Sequence, residues 1–194
     1  MIDSKKKYKY FLISDKKALG ITKHKPSFIG DEIWKFEIML RKAEYYKNTM
    51  GHNYIKKILY YICLFRFHRA RVKLGFSIPL NVFGPGLSIA HRGTIVVNGN
   101  AKIGKNCRIQ ESTTIGATNG ESSAPTLGNN IFIGSGARII GNIKIADDIA
   151  IGANAVVNKD FDTPGITIAG VPAKKISNNN SHSNLCKEIF NEEE

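Results

Sequence analysis

A six-residue repeat runs through the middle of the chain and restricts the folds that it can adopt. From position 91 to position 157, ten of the twelve sixth residues are aliphatic, and the two exceptions are His91 and Glu121. A period of six matches neither an α-helix, with about 3.6 residues per turn, nor the two-residue alternation of a simple strand. It is typical of a chain wound into a prism with flat faces, where one aliphatic side chain per face points inward.

The residues between the aliphatic positions support this interpretation. Small or apolar residues recur two places before them, and glycine often recurs one place after them. Glycine permits a sharp corner between two faces because it has no Cβ atom. Three faces make one coil, and coils stack at a strand spacing of about 4.8 Å, so residues 78–160 predict about four to five coils. A β-sandwich would instead show two-residue alternation with turn signals roughly every eight to twelve residues.

Positive charge is concentrated at the N-terminal end of the chain. Residues 1–75 contain 18 Lys and Arg against 6 Asp and Glu, which accounts for the whole net charge of +12, and the remainder balances at 10 and 10. We therefore divide the chain into a basic, mainly helical segment at 1–75, a β-helix domain at 76–176 and a polar C-terminal tail at 177–194, expected to be frayed. A polar loop at 117–125 interrupts the β-helix, and loops on rigid scaffolds often hold substrate.

Two helices are predicted within the basic segment. The first covers residues 31–49 with Asp31 as its N-cap, and the second covers residues 53–73 with Gly75 at its C-terminal cap. The second helix mixes Tyr and Phe with Lys and Arg, a composition suited to the lipid headgroup layer. We favour the alternative that its apolar sides pack on the first helix and the first coil, because an open-ended prism needs a cap.

The composition also indicates a cellular compartment. No stretch approaches the roughly 18 apolar residues of a membrane span, and no apolar run of a signal peptide follows the basic N-terminus. The three cysteines, Cys63, Cys107 and Cys186, have no framework spacing, which favours a reducing compartment. We therefore expect a cytoplasmic protein without a metal site, and the inner face of the membrane is where the basic segment would act.

The repeat and its accompanying motifs resemble those of the hexapeptide-repeat acyltransferases. Within this family the chain looks most similar to serine O-acetyltransferases and to their relatives that modify capsule, exopolysaccharide and lipopolysaccharide. The resemblance covers residues 78–176 and implies an all-β left-handed parallel β-helix behind an N-terminal α-helical segment. The stretches that carry it are Gly84-Pro85-Gly86-Leu87, His91-Arg92-Gly93-Thr94-Ile95-Val96-Val97-Asn98, Gln110-Glu111-Ser112-Thr113-Thr114-Ile115-Gly116 and Ile168-Ala169-Gly170-Val171-Pro172-Ala173.

The resemblance implies a homotrimer that uses acetyl-CoA, with active sites in clefts between adjacent prisms. The histidine that opens the second stretch is the catalytic base of serine acetyltransferases, and here it is His91. This slot of the repeat is otherwise aliphatic, and a neutral imidazole can accept a hydroxyl proton near neutral pH. A core histidine bonded to the backbone is the structural alternative. The other predicted site residues are Gly116, Ala117, Asn119 and Glu121 for the oxyanion and acceptor loop, and Gly134, Ser135, Gly152, Ala153, Lys174 and Lys175 for CoA.

Three departures from serine acetyltransferases bear on the acceptor. The aspartate before the catalytic histidine is Ala90 here, the aspartate that orients the imidazole falls in the acid-free segment 76–79, and the Arg-His pair of the loop falls at 123–125. Because a serine zwitterion needs a carboxylate and a cation, we expect a sugar hydroxyl or a lipid-linked glycan as the acceptor. Candidates for orienting His91 are Ser77, Asn81 and Ser88.

Other functions remain as alternatives. The nearest is a serine O-acetyltransferase of cysteine biosynthesis with altered substrate groups. A different class is a non-enzymatic binder of anionic surfaces, with peripheral membrane contact through residues 1–75; nucleic acid is not expected as a partner. A γ-type carbonic anhydrase is disfavoured, because its zinc ion needs three histidines and the repeat offers only His91.

Overall fold

Three α-helices precede a β-helix of short strands in the structure, a computed structural model that describes residues 1–190. The helices are α1 Lys5–Ala18, α2 Glu32–Thr49 and α3 Tyr54–Leu74. The strands are β1 Phe76–Ser77, β2 Ser88–Ile89, β3 Ile95–Val97, β4 Lys102–Ile103, β5 Arg108–Ile109, β6 Thr113–Gly116, β7 Thr126–Leu127, β8 Phe132–Ile133, β9 Arg138–Ile140, β10 Lys144–Ile145, β11 Ala150–Ile151, β12 Val156–Val157, β13 Thr167–Gly170 and β14 Ala173–Ser177. Two 3-10 turns follow, His182–Asn184 and Lys187–Ile189.

The strands form three sheets, which are the faces of a prism. Sheet A has the order β1-β3-β6-β9-β12, sheet B the order β4-β7-β10, and sheet C the order β2-β5-β8-β11-β13-β14. Neighbouring strands are parallel, except that β14 folds back antiparallel to β13. Phe83 and Phe161 continue sheet B as isolated bridges in the first and last coils. Because the chain visits the three sheets in turn, five coils stack along the prism.

The aliphatic positions of the six-residue repeat form the core of this prism. All ten of them are buried, whereas the two polar exceptions, His91 and Glu121, are exposed. The buried set consists of Val97, Ile103, Ile109, Ile115, Leu127, Ile133, Ile139, Ile145, Ile151 and Val157. Each face therefore contributes one aliphatic side chain per coil to a continuous apolar column.

The register differs from the prediction at the first position of the repeat. Ile89, and not His91, pairs with Ile109 in sheet C, and Ile89 is the buried residue. The corner at residues 90–94 carries two more residues than the repeat requires, which moves His91 out of the core. The prediction that His91 occupies an aliphatic slot of the prism is therefore wrong.

The two helices predicted in the basic segment are present as α2 and α3, and α1 is an additional helix that was not predicted. Asn53 caps α3 by accepting a hydrogen bond from the Lys56 N–H at 3.0 Å, and Gly75 ends the helix at φ 79°. Asp31 precedes α2 but does not cap it, because its carboxylate accepts the Ser27 N–H at 2.8 Å instead. Within residues 1–190, the structure contains no helix with the length and apolar content of a membrane span.

The helices cover the open end of the prism with buried acidic side chains. A first coil has no preceding strands, so its backbone groups need other partners. Asp15 of α1 accepts the N–H groups of Gly86 at 2.8 Å and Leu87 at 2.9 Å. Glu37 of α2 accepts the Ile89 N–H at 3.1 Å. These carboxyl groups replace hydrogen-bond acceptors that a further coil would have supplied.

A buried arginine completes the same cap. The guanidinium of Arg41 is fully buried on α2 and forms ion pairs with Asp15 at 2.7 Å and with Glu44 at 3.0 Å. It also donates to the carbonyl oxygens of Phe83 at 3.0 Å and Gly84 at 2.6 Å. The cap therefore joins α1, α2 and the first coil through one cation.

The polar tail is held against the protein as far as residue 190, contrary to the prediction that it is frayed. Ser181 is buried and its hydroxyl donates to the carbonyl of Asn130, and His182 Nε2 lies 2.7 Å from Asp148. Leu185 is buried as well. These side chains anchor the tail on the prism. The last part of the predicted tail, residues 191–194, lies outside the described residues.

Candidate active site

His91 lies at an edge of the prism, at the corner between sheets C and A where the first coil passes into the second. We call this edge, formed by residues 90–94, 110–112, 134–137 and 152–155, the C–A edge. Its backbone is fixed on both sides: Ala90 N–H donates to the carbonyl of Ile109 at 3.0 Å, and Gly93 N–H to that of Leu74 at 3.2 Å. The side chain of His91 is exposed and has no hydrogen-bond partner among residues 1–190. An imidazole in this state is available to accept a proton.

The residues predicted for CoA lie along the same edge. Gly134 and Ser135 follow β8 at the corner between the third and fourth coils, and Gly152 and Ala153 follow β11 one coil further. Lys174 pairs with Ala169 at the end of sheet C. At about 4.8 Å per coil, the row from His91 to the last coil is about 19 Å long. The structure therefore places this set in one line.

The stacking of the coils requires glycine at positions 134 and 152. A Cβ atom at Gly134 would lie 2.7 Å from the backbone nitrogen of Ala153, and one at Gly152 would lie 2.8 Å from the Cβ of Ala169. Both contacts are shorter than side chains tolerate, so glycine is required for the coils to stack. The Ser135 N–H donates to Gln110 Oε1 at 3.0 Å. The roles of Gly134, Ser135 and Gly152 in binding CoA stay predictions.

The residues predicted for the acceptor loop lie elsewhere in the chain. Gly116, Ala117, Asn119 and Glu121 belong to the corner between sheets A and B, which we call the A–B edge. In sheet B, the paired residues Leu127 and Ile145 are 18 positions apart, which is one regular coil. The paired residues Ile103 and Leu127 are 24 positions apart, so this coil contains a loop of six additional residues. Sheet A separates this loop from His91. A single chain therefore does not bring the two halves of the predicted site together.

Sequence reasoning missed a carboxylate at the C–A edge. Glu111 lies directly beneath the His91 corner, with its Cβ 3.0 Å from the point where a Cβ of Gly93 would be. Its Oε2 atom is buried and has no hydrogen-bond partner in the described part of the chain. Nothing in the six-residue pattern marks this residue, because its position follows from the stacking of two coils.

Two arginines accompany Glu111 at this edge. Arg138 is the first residue of β9, directly after the corner at 134–137. It donates to the carbonyl oxygens of Ser112 and, at 2.8 Å, of Gly136. Arg92 is exposed beside His91, with its guanidinium 3.9 Å from Glu32. The edge therefore carries an imidazole, a carboxylate and two cations.

The residues suggested for orienting His91 have other contacts. Ser88 is buried and accepts a hydrogen bond from Arg108 at 2.9 Å. Asn81 exchanges hydrogen bonds with Asn48 beside the A–B edge. Ser77 lies on sheet A, 3.5 Å from Arg71. Ser88 and Asn81 are therefore committed elsewhere, and Glu111 is the acidic side chain that the coils place next to this corner.

Sequence comparison finds related acetyltransferases. The chain is 37% identical over 131 residues to a serine acetyltransferase of Helicobacter pylori strain J99, covering 66% of this chain and 76% of the relative. It is 36% identical over 112 residues to a serine acetyltransferase of Synechococcus elongatus, covering 56% of this chain but 46% of that longer relative. No protein-family profile matches the chain.

Solved structures of the same name share the fold. The crystal structure of serine acetyltransferase from Brucella abortus strain S19 matches with a TM-score of 0.65 at 22% identity, over 91% of this chain and 72% of that one. A serine acetyltransferase in complex with CoA matches with a TM-score of 0.66 at 21% identity, over 89% and 71%. The predicted left-handed parallel β-helix with an N-terminal helical segment is thereby confirmed.

Proposed function

Because this chain belongs to the serine acetyltransferase family of hexapeptide-repeat acyltransferases, we propose that it transfers an acetyl group from acetyl-CoA to a hydroxyl group. The observation that carries the proposal is the exposed, uncommitted imidazole of His91 at the head of the C–A edge. We name L-serine as the acceptor, since the relatives bear that name and the edge offers both charges that an amino acid requires.

His91 acts as the general base in this proposal. Its neutral imidazole takes the proton of the acceptor hydroxyl while the oxygen attacks the thioester carbonyl of acetyl-CoA. The carbon–sulfur bond then breaks, the acetyl ester remains on the acceptor, and the proton returns from the imidazole to the departing thiolate. The products are an O-acetyl ester and free CoA thiol.

The donor would lie along the C–A edge. The row of small residues there, Gly134, Ser135, Gly152 and Ala153, leaves the corners of the third to fifth coils flat. Lys174 and Lys175 are both exposed at the end of this row, where ammonium groups can meet phosphate. The thioester end would point toward His91 and the nucleotide end toward the last coil.

A complete site requires a second copy of the chain. The outer surface of sheet A is apolar at Val96, Ile140 and Val156, whereas that of sheet B carries Lys102 and Lys144. If copies pack through sheet A around an axis, the C–A edge of one meets the A–B edge of the next. The loop with Gly116 and Ala117 then faces His91 of the neighbour, where a backbone N–H can stabilise the oxyanion. This is the arrangement of the homotrimer that we propose.

The charged residues at the C–A edge suit an amino-acid acceptor. The partly buried carboxylate of Glu111 can accept from an ammonium group, and Arg92 or Arg138 can bind a carboxylate. A sugar hydroxyl, including that of a lipid-linked glycan, is the second candidate. It is favoured by Ala90 and by the uncharged segment 123–125, which differ from the motif residues of serine acetyltransferases described above.

A thiol-release assay with acetyl-CoA tests the catalytic proposal. We expect His91→Ala to lower kcat by about 10²–10⁴-fold, as for the loss of a general base. His24→Ala is the matched control, because His24 is exposed in the segment between α1 and α2, and we expect it to retain wild-type turnover. Similar kcat values for His91→Ala and the wild type would remove His91 from the mechanism.

The same assay distinguishes the acceptors. L-serine is compared with a panel of monosaccharides, and the ester products are identified by mass spectrometry. If L-serine is the acceptor, Glu111→Gln should raise its KM about tenfold or more, because a charged hydrogen bond to the ammonium becomes a neutral one. Turnover of a sugar with none of L-serine, and a sugar KM unchanged by Glu111→Gln, would establish the second candidate instead.

A further inference from the structure

Helix α3 is apolar on two opposite sides, and only one side is covered. Cys63, Phe67 and Leu74 are buried against the rest of the protein. On the other side, six large apolar residues are between 52% and 81% exposed. We call this set the outer stripe: Tyr54, Ile55, Ile58, Tyr61, Ile62 and Phe65.

The outer stripe is a continuous surface. At about 100° per residue its members fall within an arc of about 120°, centred opposite the buried side of the helix. From Tyr54 to Phe65 it extends for about 17 Å at about 1.5 Å per residue. Isolated exposed apolar residues are ordinary, but a contiguous stripe of this size marks an interaction surface.

The charges on α3 have one sign. The helix contains Lys56, Lys57, Arg66, Arg69, Arg71 and Lys73, and it contains no Asp or Glu. By the helical spacing, Lys57 lies on one flank of the outer stripe, and Arg66 and Lys73 lie on the other.

Cations also stand over the exposed rings. Lys57 Nζ is 5.6 Å from the Tyr54 ring centroid, and the Arg69 guanidinium is 5.9 Å from that of Phe65. Aromatic rings flanked by cations suit the layer where lipid headgroups meet acyl chains.

A groove beside the stripe continues this chemistry. It lies between α2 and α3, has a volume of about 170 Å³, and is lined by apolar side chains that include Met39 and Leu59. Lys42 and Arg66 line it as well. A groove with apolar walls and two cations suits a phospholipid, whose acyl chains would contact the walls and whose phosphate would contact the cations.

We propose that the outer stripe of α3 docks the protein on an anionic lipid bilayer, with the helix lying in the plane of the surface. The cations in and beside the stripe extend from Lys57 to Lys73, so they can meet headgroups along most of the helix. A second copy of the chain is a poorer occupant, because an antiparallel α3 would bring these cations together without an acidic residue in between. The proposal does not depend on acetyl transfer.

Vesicle co-sedimentation of the full chain tests the proposal. Vesicles of equal parts phosphatidylglycerol and phosphatidylcholine should bind the protein at about 0.1 M salt, and vesicles of phosphatidylcholine alone should bind it far less. Binding should weaken at about 1 M salt, where the Debye length shortens to about 3 Å. Equal binding to both vesicles, or to neither, would overturn the proposal.

Two paired variants separate the stripe from general charge effects. Ile58→Glu with Phe65→Glu should weaken binding to the anionic vesicles about tenfold or more, since two apolar side chains leave the bilayer. The control is Val171→Glu with Ile176→Glu, which adds the same charge at exposed apolar residues in β14 and in the turn before it. We expect that control to bind as the wild type does.

Light scattering in the absence of lipid tests the rival occupant. If the stripe faces lipid, the Ile58→Glu/Phe65→Glu variant keeps the molecular mass of the wild type. A variant with a smaller mass and unchanged vesicle binding would assign the stripe to a contact between copies and overturn the proposal. Because both side chains are 62% exposed, we expect the variant to fold, and unchanged thermal unfolding checks this.

Discussion

Replacement of Arg41 by methionine would remove the cation that joins the helices to the first coil. The guanidinium forms five hydrogen bonds, two to Asp15, one to Glu44 and two to the carbonyl oxygens of Phe83 and Gly84. The methionine side chain fills a similar space but leaves two buried carboxylates without their cation. Breaking a buried ion pair in this way costs about 3–5 kcal/mol.

The expected decrease in the free energy of unfolding can be measured with a fluorophore in the helical segment. Trp34 is the single tryptophan of the chain and is buried on α2, so its fluorescence reports the docking of that helix during urea denaturation. At about 2–4 °C per kcal/mol for a chain of this length, Arg41→Met should lower the Tm by about 6–20 °C. Far-UV circular dichroism follows the coils in parallel.

A triple variant tests the reason for this loss. Adding Asp15→Asn and Glu44→Gln to Arg41→Met removes the unpaired charges but keeps oxygen acceptors for the N–H groups of Gly86 and Leu87. We expect the triple variant to be more stable than Arg41→Met alone, because the penalty lies chiefly in uncompensated buried charge. A loss below about 1 kcal/mol for Arg41→Met, or a triple variant less stable than the single one, would refute this reasoning.

Two further predictions concern buried groups that titrate. Burial, and then the neighbouring Asp15, raise the pKa of Glu37 well above the usual 4.5. The folded state therefore binds this proton more tightly than the unfolded state, and the free energy of unfolding should fall as the pH rises above about 4.5. Glu37→Gln should remove this decline, measured by urea denaturation at several pH values; an unchanged pH profile would contradict it. Burial raises the pKa of the Cys107 thiol to about 12, so a thiol reagent at neutral pH should label Cys186 and reach Cys107 only on unfolding, as mass spectrometry of the labelled peptides can establish.

The prism could be predicted from the sequence because its determinants are local. Each hexad buries its aliphatic residue and the residue two places before it, so the core column is visible without knowledge of any long-range contact. The prediction failed where the number of residues between buried positions changes. The corner at 90–94 has two extra residues, and Ile89 takes the buried place that the repeat assigned to His91. Local periodicity cannot show how a corner absorbs an insertion.

Features that depend on distant partners were not predictable in the same way. Helix α1 buries Phe11, Asp15 and Ala18, and the acid among them resembles a surface residue until it meets Arg41, 26 positions further along. Glu111 likewise gains meaning only when the coils place it under Gly93. The position of His91 was proposed from its motif, but its neighbours required the structure.

The cap on the first coil of the prism has a consequence for the protein in concentrated solution. A bare terminal coil offers a row of unpaired N–H and C=O groups, and such rows recruit strands from other molecules into growing fibrils. Here the carboxyl groups of Asp15 and Glu37 accept the N–H groups of the first coil, and β14 turns back on β13 at the far end of sheet C. The acidic side chains at the first coil thus oppose the addition of strands from other molecules at that end.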